Sequence, residues 1–181
     1  MRLSLIPHPQ TPSLSVRRID VAVERLAEAG PARNGLSLGY RAEGAIGDVL
    51  VPRRVQPRRR DGLWRHTCFE GFVRERGRPF YLEFNFSPSR EWAAYRFDDY
   101  RLGMDDAEAE PSVVVRANAG LLELEATVTP HLDPDAAWEI ALSAVIEQKD
   151  GSKSYWALAH PPGNPDFHHP DCFTLELPPP A

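Results

Sequence analysis

Apolar and polar residues alternate one by one along several stretches of the chain. Between positions 80 and 86 the apolar residues occupy every second position, and Tyr81, Glu83 and Asn85 stand between them. Residues 121–129 repeat the pattern with leucine, alanine and valine against glutamate and threonine. A period of two is typical of a strand in an antiparallel sheet that buries one face. The pattern therefore predicts strands at 80–86 and 121–129.

Turn-forming residues separate such segments and join pairs of them into hairpins. Three hairpins are predicted: 67–75 with 80–86, 112–117 with 121–129, and 139–147 with 154–159. The third turns at Asp150-Gly151, a dipeptide that favours tight hairpin turns. Further strands are predicted at 16–24, 35–41, 92–97 and 173–177. Helix is expected only at the end of 21–29 and as one turn at 133–138.

About ten short strands with closely spaced turns predict an all-β fold, an antiparallel β-sandwich. The chain has 181 residues, of which 42% are hydrophobic. That length and composition suit one domain with one sizeable core. We expect the domain at 13–177, an N-terminal tail at 1–12 and a C-terminal tail at 178–181.

The net charge and the N-terminal sequence limit the choice of binding partners and of cellular compartment. The net charge of -5 argues against a nucleic-acid partner, although the arginines between 53 and 60 form either a solvated loop or a basic binding arm. The first nine residues contain too short an apolar run for a signal peptide, and no segment is long enough for a membrane span. We therefore expect a cytoplasmic protein with Cys68 and Cys172 as free thiols.

Three motifs follow one another at a recognisable spacing. Cys68-Phe69-Glu70-Gly71-Phe72 comes after Trp64, Asn85-Phe86-Ser87-Pro88 ends the next strand, and His168-His169-Pro170-Asp171 precedes the last. Together they resemble the bacterial DOMON-like proteins, which are similar to family 9 carbohydrate-binding modules. The resemblance covers most of residues 15–178. It implies a sandwich with immunoglobulin-like layers whose relatives bind sugars or haem, and it does not imply catalysis.

A polar sheet face is the main candidate site. Glu70 lies on one predicted strand and Glu83 and Asn85 on the next, so that pairing would bring them together. Carboxylate, amide and guanidinium groups bind sugar hydroxyls, and aromatic rings cover the apolar sugar face. The predicted ligand-binding residues are Trp64, Glu70, Glu83, Asn85, Trp92 and Arg96. The alternative is that Glu83 and Asn85 face water and Trp92 belongs to the core.

Histidine, cysteine and methionine supply weaker candidates for a metal or haem. The possible metal ligands are His66, Cys68, His160, His168, His169 and Cys172. Their spacing matches no standard zinc pattern, so packing and hydrogen bonding are the ordinary interpretation. Met104, in an apparent loop, is the candidate haem ligand. We predict no metal and no cofactor.

Catalytic motifs are weaker still. Glu70 and Glu83 could form a carboxylate pair of the glycoside hydrolase type, but the sequence does not fix their separation. It also contains no Gly-x-Ser-x-Gly, P-loop or dinucleotide-binding glycine pattern. We predict a non-catalytic domain that binds a small, sugar-like ligand. The alternatives are a protein-interaction module, a haem or metal binder, and a glycoside hydrolase.

Overall fold

The computed structural model describes residues 1–29 and 32–180. The strands in chain order are β1 (Arg2–Pro7), β2 (Val16–Ala29), β3 (Ala32–Gly44), β4 (Arg58–Arg59), β5 (Cys68–Glu75), β6 (Tyr81–Phe86), β7 (Glu91–Phe97), β8 (Asp105–Asp106), β9 (Ser112–Ala117), β10 (Leu121–Val128), β11 (Trp138–Glu147), β12 (Lys153–Ala157) and β13 (Leu175–Leu177). Short 3-10 turns occupy Ile46–Asp48, Leu63–Arg65 and Pro170–Cys172. Within the described ranges, no helix has the length and apolarity that crossing a membrane requires.

The strands form one curled sheet that is mainly antiparallel. Their order is β4-β7-β6-β5-β11-β12-β1-β2-β3-β10-β9, with β13 beside β11 and β8 beside β7. β4 pairs with β7 in the parallel direction. β1 pairs with β12 on one side and β2 on the other, so it joins the two halves of the sheet. The all-β, antiparallel prediction is confirmed, and so are the three predicted hairpins, β5/β6, β9/β10 and β11/β12.

The core lies between the two halves of the curled sheet. Tyr40 on β3 packs its ring against Phe69 on β5, with 4.9 Å between the ring centroids. The Tyr40 hydroxyl donates a hydrogen bond of 2.7 Å to the backbone oxygen of Glu70. A Cβ atom at Gly71 would lie only 2.7 Å from Leu38 Cδ1. The two halves therefore contact each other at β3 and β5, behind the candidate site.

Three local predictions differ from the structure. The expected N-terminal tail contains β1, which is held by pairing on both of its edges. The end of 21–29, predicted as possible helix, continues β2 to Ala29, because pairing with β3 outweighs local helix preference. Residues 133–138 form turns and the start of β11 instead of a helical turn. The predicted C-terminal tail follows β13, and its last residue lies outside the described range.

Part of the arginine-rich segment is used within the fold. Arg58 and Arg60 both form ion pairs with the buried carboxylate of Glu91 on β7, at N···O distances of 2.7 Å and 3.2 Å. A buried carboxylate needs such partners, since an isolated charge is costly away from water. These two arginines therefore fasten the segment that contains β4 to the sheet.

Candidate functional site

The outer face of β5, β6 and β7 is covered, although the alternating sequence suggested strands with one face in water. Every residue of β6 is buried, and so are the first six residues of β5. The face turned away from the main core holds a second apolar cluster, which includes Phe72, Tyr81 and Phe97. Phe167 and Phe173, from the segment before β13, pack onto this cluster. The C-terminal segment thus forms a partial roof over the polar residues of the hairpin.

Beside this roof a cleft of about 650 Å³ remains open. Glu70 and Glu83 contribute its acidic floor. Its aromatic lining comes from Trp64, Tyr95, Phe97, Tyr155 and Phe167. The side chain of Trp64 stands at the rim, because 49% of the residue is exposed. The cleft therefore combines a buried polar floor with apolar ring surfaces.

The register of the sheet brings the two glutamates together. Glu70 lies opposite Asn85 on β6 and opposite Ser143 on β11. Glu83 is two residues from Asn85 on the same face, so it is the diagonal neighbour of Glu70, at a typical Cα separation of about 7–8 Å. The exposed fractions of Glu70 and Glu83 are only 2% and 5%. Two carboxyl groups consequently share one small, nearly dry space.

Each glutamate has one oxygen committed to a neighbour. Ser143 donates a hydrogen bond of 2.9 Å from Oγ to Glu70 Oε2, and Asn85 donates one of 2.7 Å from Nδ2 to Glu83 Oε1. Among the described residues, buried Glu70 Oε1 has no hydrogen-bond partner. Glu83 Oε2 lies 3.9 Å from His168 Nε2, beyond hydrogen-bond distance. Glu83 Oε2 is therefore available to a ligand, whereas Glu70 Oε1 lacks a partner but has almost no exposed surface.

Burial decides the protonation of this pair. Burial first, and then the charge of Glu83, raise the pKa of Glu70 to about 8. Burial also raises the pKa of Glu83 to about 7, against the opposing effects of Asn85 and Arg101. Two close carboxylates in a space of low polarity cannot both ionise readily. At neutral pH the pair therefore retains about one proton.

His168 is held by Tyr81 at the edge of the cleft. Arg101 donates a backbone hydrogen bond of 3.2 Å to the Tyr81 hydroxyl, whose oxygen lies 2.8 Å from His168 Nδ1. Burial, followed by the charge of Arg101, lowers the pKa of His168 to about 4, so the ring is neutral at pH 7. The Tyr81 hydroxyl and Nδ1 share one hydrogen bond, and Nε2 is the ring nitrogen that lies 3.9 Å from Glu83 Oε2.

Ion pairs formed by two arginines hold the loops around the cleft. Arg101 binds Asp166 at 2.8 Å and so links the loop after β7 to the C-terminal segment. Arg59 binds Asp61 and Asp106, and the Tyr95 hydroxyl also donates to Asp61 at 2.8 Å. Charged groups thus hold both walls of the cleft to the strands. Trp64 lies in the more exposed stretch between the two walls.

The predicted ligand-binding residues are not all brought together. Trp64, Glu70 and Glu83 line the cleft, and Asn85 lies under it as a hydrogen-bond donor to Glu83. Placing Trp92 and Arg96 on this face was wrong. Trp92 pairs with Phe86 and packs against the main core, while Arg96 is exposed near Asp98 and Asp105.

The register of β7 explains why Trp92 and Arg96 do not face the cleft. Tyr95 lies opposite Glu83 and Ala93 opposite Asn85, so the odd-numbered residues of β7 face the cleft. A shift of one residue in register moves every side chain to the other face. The turn between β6 and β7 sets that register, and its geometry was not readable from the sequence.

The candidate metal ligands are dispersed over separate contacts. Among the described residues, no three histidine, cysteine, aspartate or glutamate side chains come together as a metal site would require. His66 binds Glu147, His160 binds the backbone oxygen of Ile6, and His169 accepts from the backbone of Asp171. Cys68 and Cys172 are buried free thiols. Met104, the candidate haem ligand, is exposed at the edge of the cleft.

Sequence reasoning missed several residues of the site. Ser143 is the one polar residue in the apolar run 140–146, and that isolation was the available signal. Tyr95 and Phe97 would have been found with the correct register of β7. Tyr155 and Phe167 come from distant segments, and no local pattern marks them as neighbours of Glu70.

The fold has counterparts among solved structures, although no family model matches the chain and no curated protein does. A protein from Bacteroides uniformis ATCC 8492, described as a putative carbohydrate-binding protein, has a TM-score of 0.66 and 14% identity over 96% of this chain and 84% of that one. A family 9 carbohydrate-binding module from Caldicellulosiruptor kristjanssonii, solved with glucose, has a TM-score of 0.48 and 8% identity over 85% of this chain and 72% of that one. At 14% identity the first likeness establishes a shared fold alone.

Proposed function

We propose that the protein binds a small, sugar-like polar ligand in this cleft and does not transform it. The observation that carries the proposal is the pairing of Glu70 and Glu83, nearly buried but open to the cleft, with aromatic side chains around them. We also propose that the chain is a DOMON-like sandwich of the carbohydrate-binding type, and that it acts in the cytoplasm.

The chemistry of the cleft suits a polyhydroxylated ring. Carboxyl oxygens accept hydrogen bonds from hydroxyl groups, and a protonated carboxyl group can also donate one. The half-exposed ring of Trp64 offers a flat surface for the apolar face of a sugar. A volume of about 650 Å³ lies within the usual range for small-molecule pockets. The shared fold with a protein described as carbohydrate-binding makes sugars the first ligands to test.

The alternative of a glycoside hydrolase depends on the same two residues, because such enzymes use a pair of carboxyl groups that flank the scissile bond. Glu70 and Glu83 lie side by side on neighbouring strands of one sheet face. Binding has the further support of the shared fold with a protein described as a putative carbohydrate-binding protein.

Isothermal titration calorimetry against neutral and amino monosaccharides and disaccharides tests the proposal. Glu83→Gln keeps the shape of the side chain and removes its charge, so we expect at least a tenfold loss of affinity, about 1.4 kcal/mol. The matched control is Glu125→Gln, which changes an exposed residue of β10 in the other half of the sheet. This variant should bind within twofold of the parent. Absence of binding across the panel would refute the proposal, as would equal affinities for both variants.

A further inference from the structure

The acidic floor of the cleft lacks a basic partner. Among the side chains that the structure describes, no lysine or arginine lies at ion-pair distance from Glu70 or Glu83. The nearest basic group is His168, whose Nε2 lies 3.9 Å from Glu83 Oε2. Arg101 also lines the cleft, but Asp166 binds its guanidinium at 2.8 Å. Buried carboxylates are normally paired with a cation, so this pair is unusual.

The unpaired oxygens of the two carboxyl groups indicate which kind of ligand group would complement them. Glu70 Oε1 is a buried acceptor without a partner among the described residues, and Glu83 Oε2 is free of hydrogen bonds. An ammonium group has three N–H donors and one positive charge. In the cleft it could donate to Glu83 Oε2 and, through its charge, stabilise both carboxylates. A neutral hydroxyl group supplies one donor and no charge, so it would leave the electrostatic cost of ionising both groups in place.

The walls above the floor also suit a cation. Tyr95, Phe97 and Phe167 line the same cleft as the two glutamates. The faces of aromatic rings attract cations, and the attraction grows where water is excluded. Acidic floor and aromatic walls therefore favour the same kind of ligand group.

We propose that the cleft selects ligands that carry a protonated amine, such as an amino sugar, and that Glu70 and Glu83 together hold the ammonium group. The inference rests on the proposed binding of a sugar-like ligand and specifies its class. When the ammonium group binds, it replaces the proton that the pair retains at neutral pH. That proton passes to the solvent, so binding releases up to one proton per site.

Other titratable groups also surround the pair. Those that face it are Cys68, Tyr81, Tyr95, Tyr155 and His168. Burial raises the pKa of Cys68 and brings the pKa of Tyr81 to about 12, so neither ionises near neutrality. The charged groups at the rim are Asp61, Arg65, Arg101 and Asp106. Arg59 pairs with both aspartates, which leaves Glu70 and Glu83 as the source of the released proton.

Calorimetry with four probes at pH 7.5 tests the selection. The probes are D-glucosamine, D-glucose, N-acetyl-D-glucosamine and butylamine. N-acetylation keeps the sugar ring and removes the charge, so we expect glucosamine to bind at least tenfold more tightly than glucose and N-acetylglucosamine. Glu70→Gln and Glu83→Gln should each abolish that preference, and Glu125→Gln should retain it. If one of the two site variants does not fold, the other still decides the comparison.

The outcomes separate this inference from the broader function. Equal binding of glucose and glucosamine would overturn the amine selection and leave sugar binding intact. Binding of butylamine without any of the sugars would retain the ammonium site and refute sugar binding. Binding of none of the four probes would refute both. A second set of titrations with butylamine, in two buffers with different ionisation enthalpies, should give a release of between half a proton and one proton. A value of zero would contradict the displacement of the shared proton.

Discussion

Ser143 donates a hydrogen bond to Glu70 Oε2 from the strand beside it, while the second oxygen of the same carboxyl group has no partner among the described residues. The two residues lie directly opposite each other in the register of β11 and β5. Ser143 therefore fixes the orientation of the carboxyl group and leaves the buried Oε1 without a partner. The carboxyl group of Glu70 has a fixed orientation, as a ligand-binding group has, but it is shielded from water, as a core residue is. Its burial moves the pH range in which it ionises toward neutrality.

The stability of the protein should fall as pH rises through the range in which Glu70 ionises. The pKa of Glu70 is raised from 4.5 to about 8 in the folded chain, so its contribution to stability is complete below about pH 4.5 and is lost as pH approaches 8. Glu70→Gln removes this dependence and keeps a group that can accept from Ser143. Near pH 5 we expect the variant to match the parent within about 1 kcal/mol. Near pH 8.5 it should be the more stable by an amount on the order of 1–3 kcal/mol.

Urea denaturation between pH 5 and pH 8.5 measures this difference. Glu125→Gln removes an exposed carboxylate from β10 and should follow the parent across the whole range. A constant difference between Glu70→Gln and the parent would show that Glu70 ionises as an ordinary glutamate. The raised pKa would then be wrong, and with it the shared proton.

His168 should make the stability of the protein depend on pH in the opposite direction, and at lower pH. Its pKa is lowered from 6.5 to about 4 by burial, so its contribution to stability is present above pH 6.5 and is lost as pH falls toward 4. His168→Asn offers an oxygen near the position of Nδ1, where Tyr81 can still donate. At pH 7 we expect a loss of about 1–2 kcal/mol, because the ring also contacts Phe72 and Phe97. Between pH 6.5 and pH 4.5 that deficit should shrink.

The same denaturation series tests His168, with His131→Asn as the control, because His131 is exposed. A deficit that stays constant from pH 7 to pH 4.5 would mean that His168 is protonated as easily in the folded chain as in the unfolded one. The lowered pKa of His168 would then be wrong.

Local patterns were sufficient to predict most of the strands, with β1, β4 and β8 as exceptions, and the partnership of Glu70 with Glu83. Alternation identified the polar side of β6, and the short turn after β5 made its pairing with that strand predictable. The same reasoning failed for Trp92, because its face depends on a register that the turn geometry sets. It also placed Glu83 and Asn85 on a face open to the ligand without a roof. The segment that carries Phe167 is more than 80 residues from Glu83 in the chain, and only tertiary packing brings it there.

Trp64 and Trp92 should differ in what their removal costs. Trp64 stands half exposed at the rim of the cleft, and Trp92 packs against the main core. Trp64→Ala should lower sugar affinity by at least fivefold and change the free energy of unfolding by less than about 1 kcal/mol. Trp92→Ala should destabilise the fold by about 1–3 kcal/mol, below the value for a fully buried tryptophan, and leave affinity within twofold. Calorimetry and urea denaturation on both variants give the comparison, and the reverse pattern would restore Trp92 to the site.

Gly71 tests the close approach of the two sheet halves behind the site. A Cβ atom there would lie 2.7 Å from Leu38 Cδ1, so Gly71→Ala forces the buried leucine out of its place. Overpacking of this kind typically costs about 1–3 kcal/mol. Leu38→Ala alone should cost about 2–5 kcal/mol through the cavity that it leaves. In the double variant the new methyl group partly fills that cavity, so we expect it to be more stable than the sum of the two single losses by about 1 kcal/mol or more. Urea denaturation of the parent, the two single variants and the double variant measures the four free energies of unfolding.

Gly39→Ala on β3 is the control, because its nearest contact would be an ordinary 3.7 Å from Ala22 Cβ. Additive losses at Gly71 and Leu38 would show that the two halves do not meet there, and the link from β3 to the strand that carries Glu70 would have to rest on Tyr40 alone.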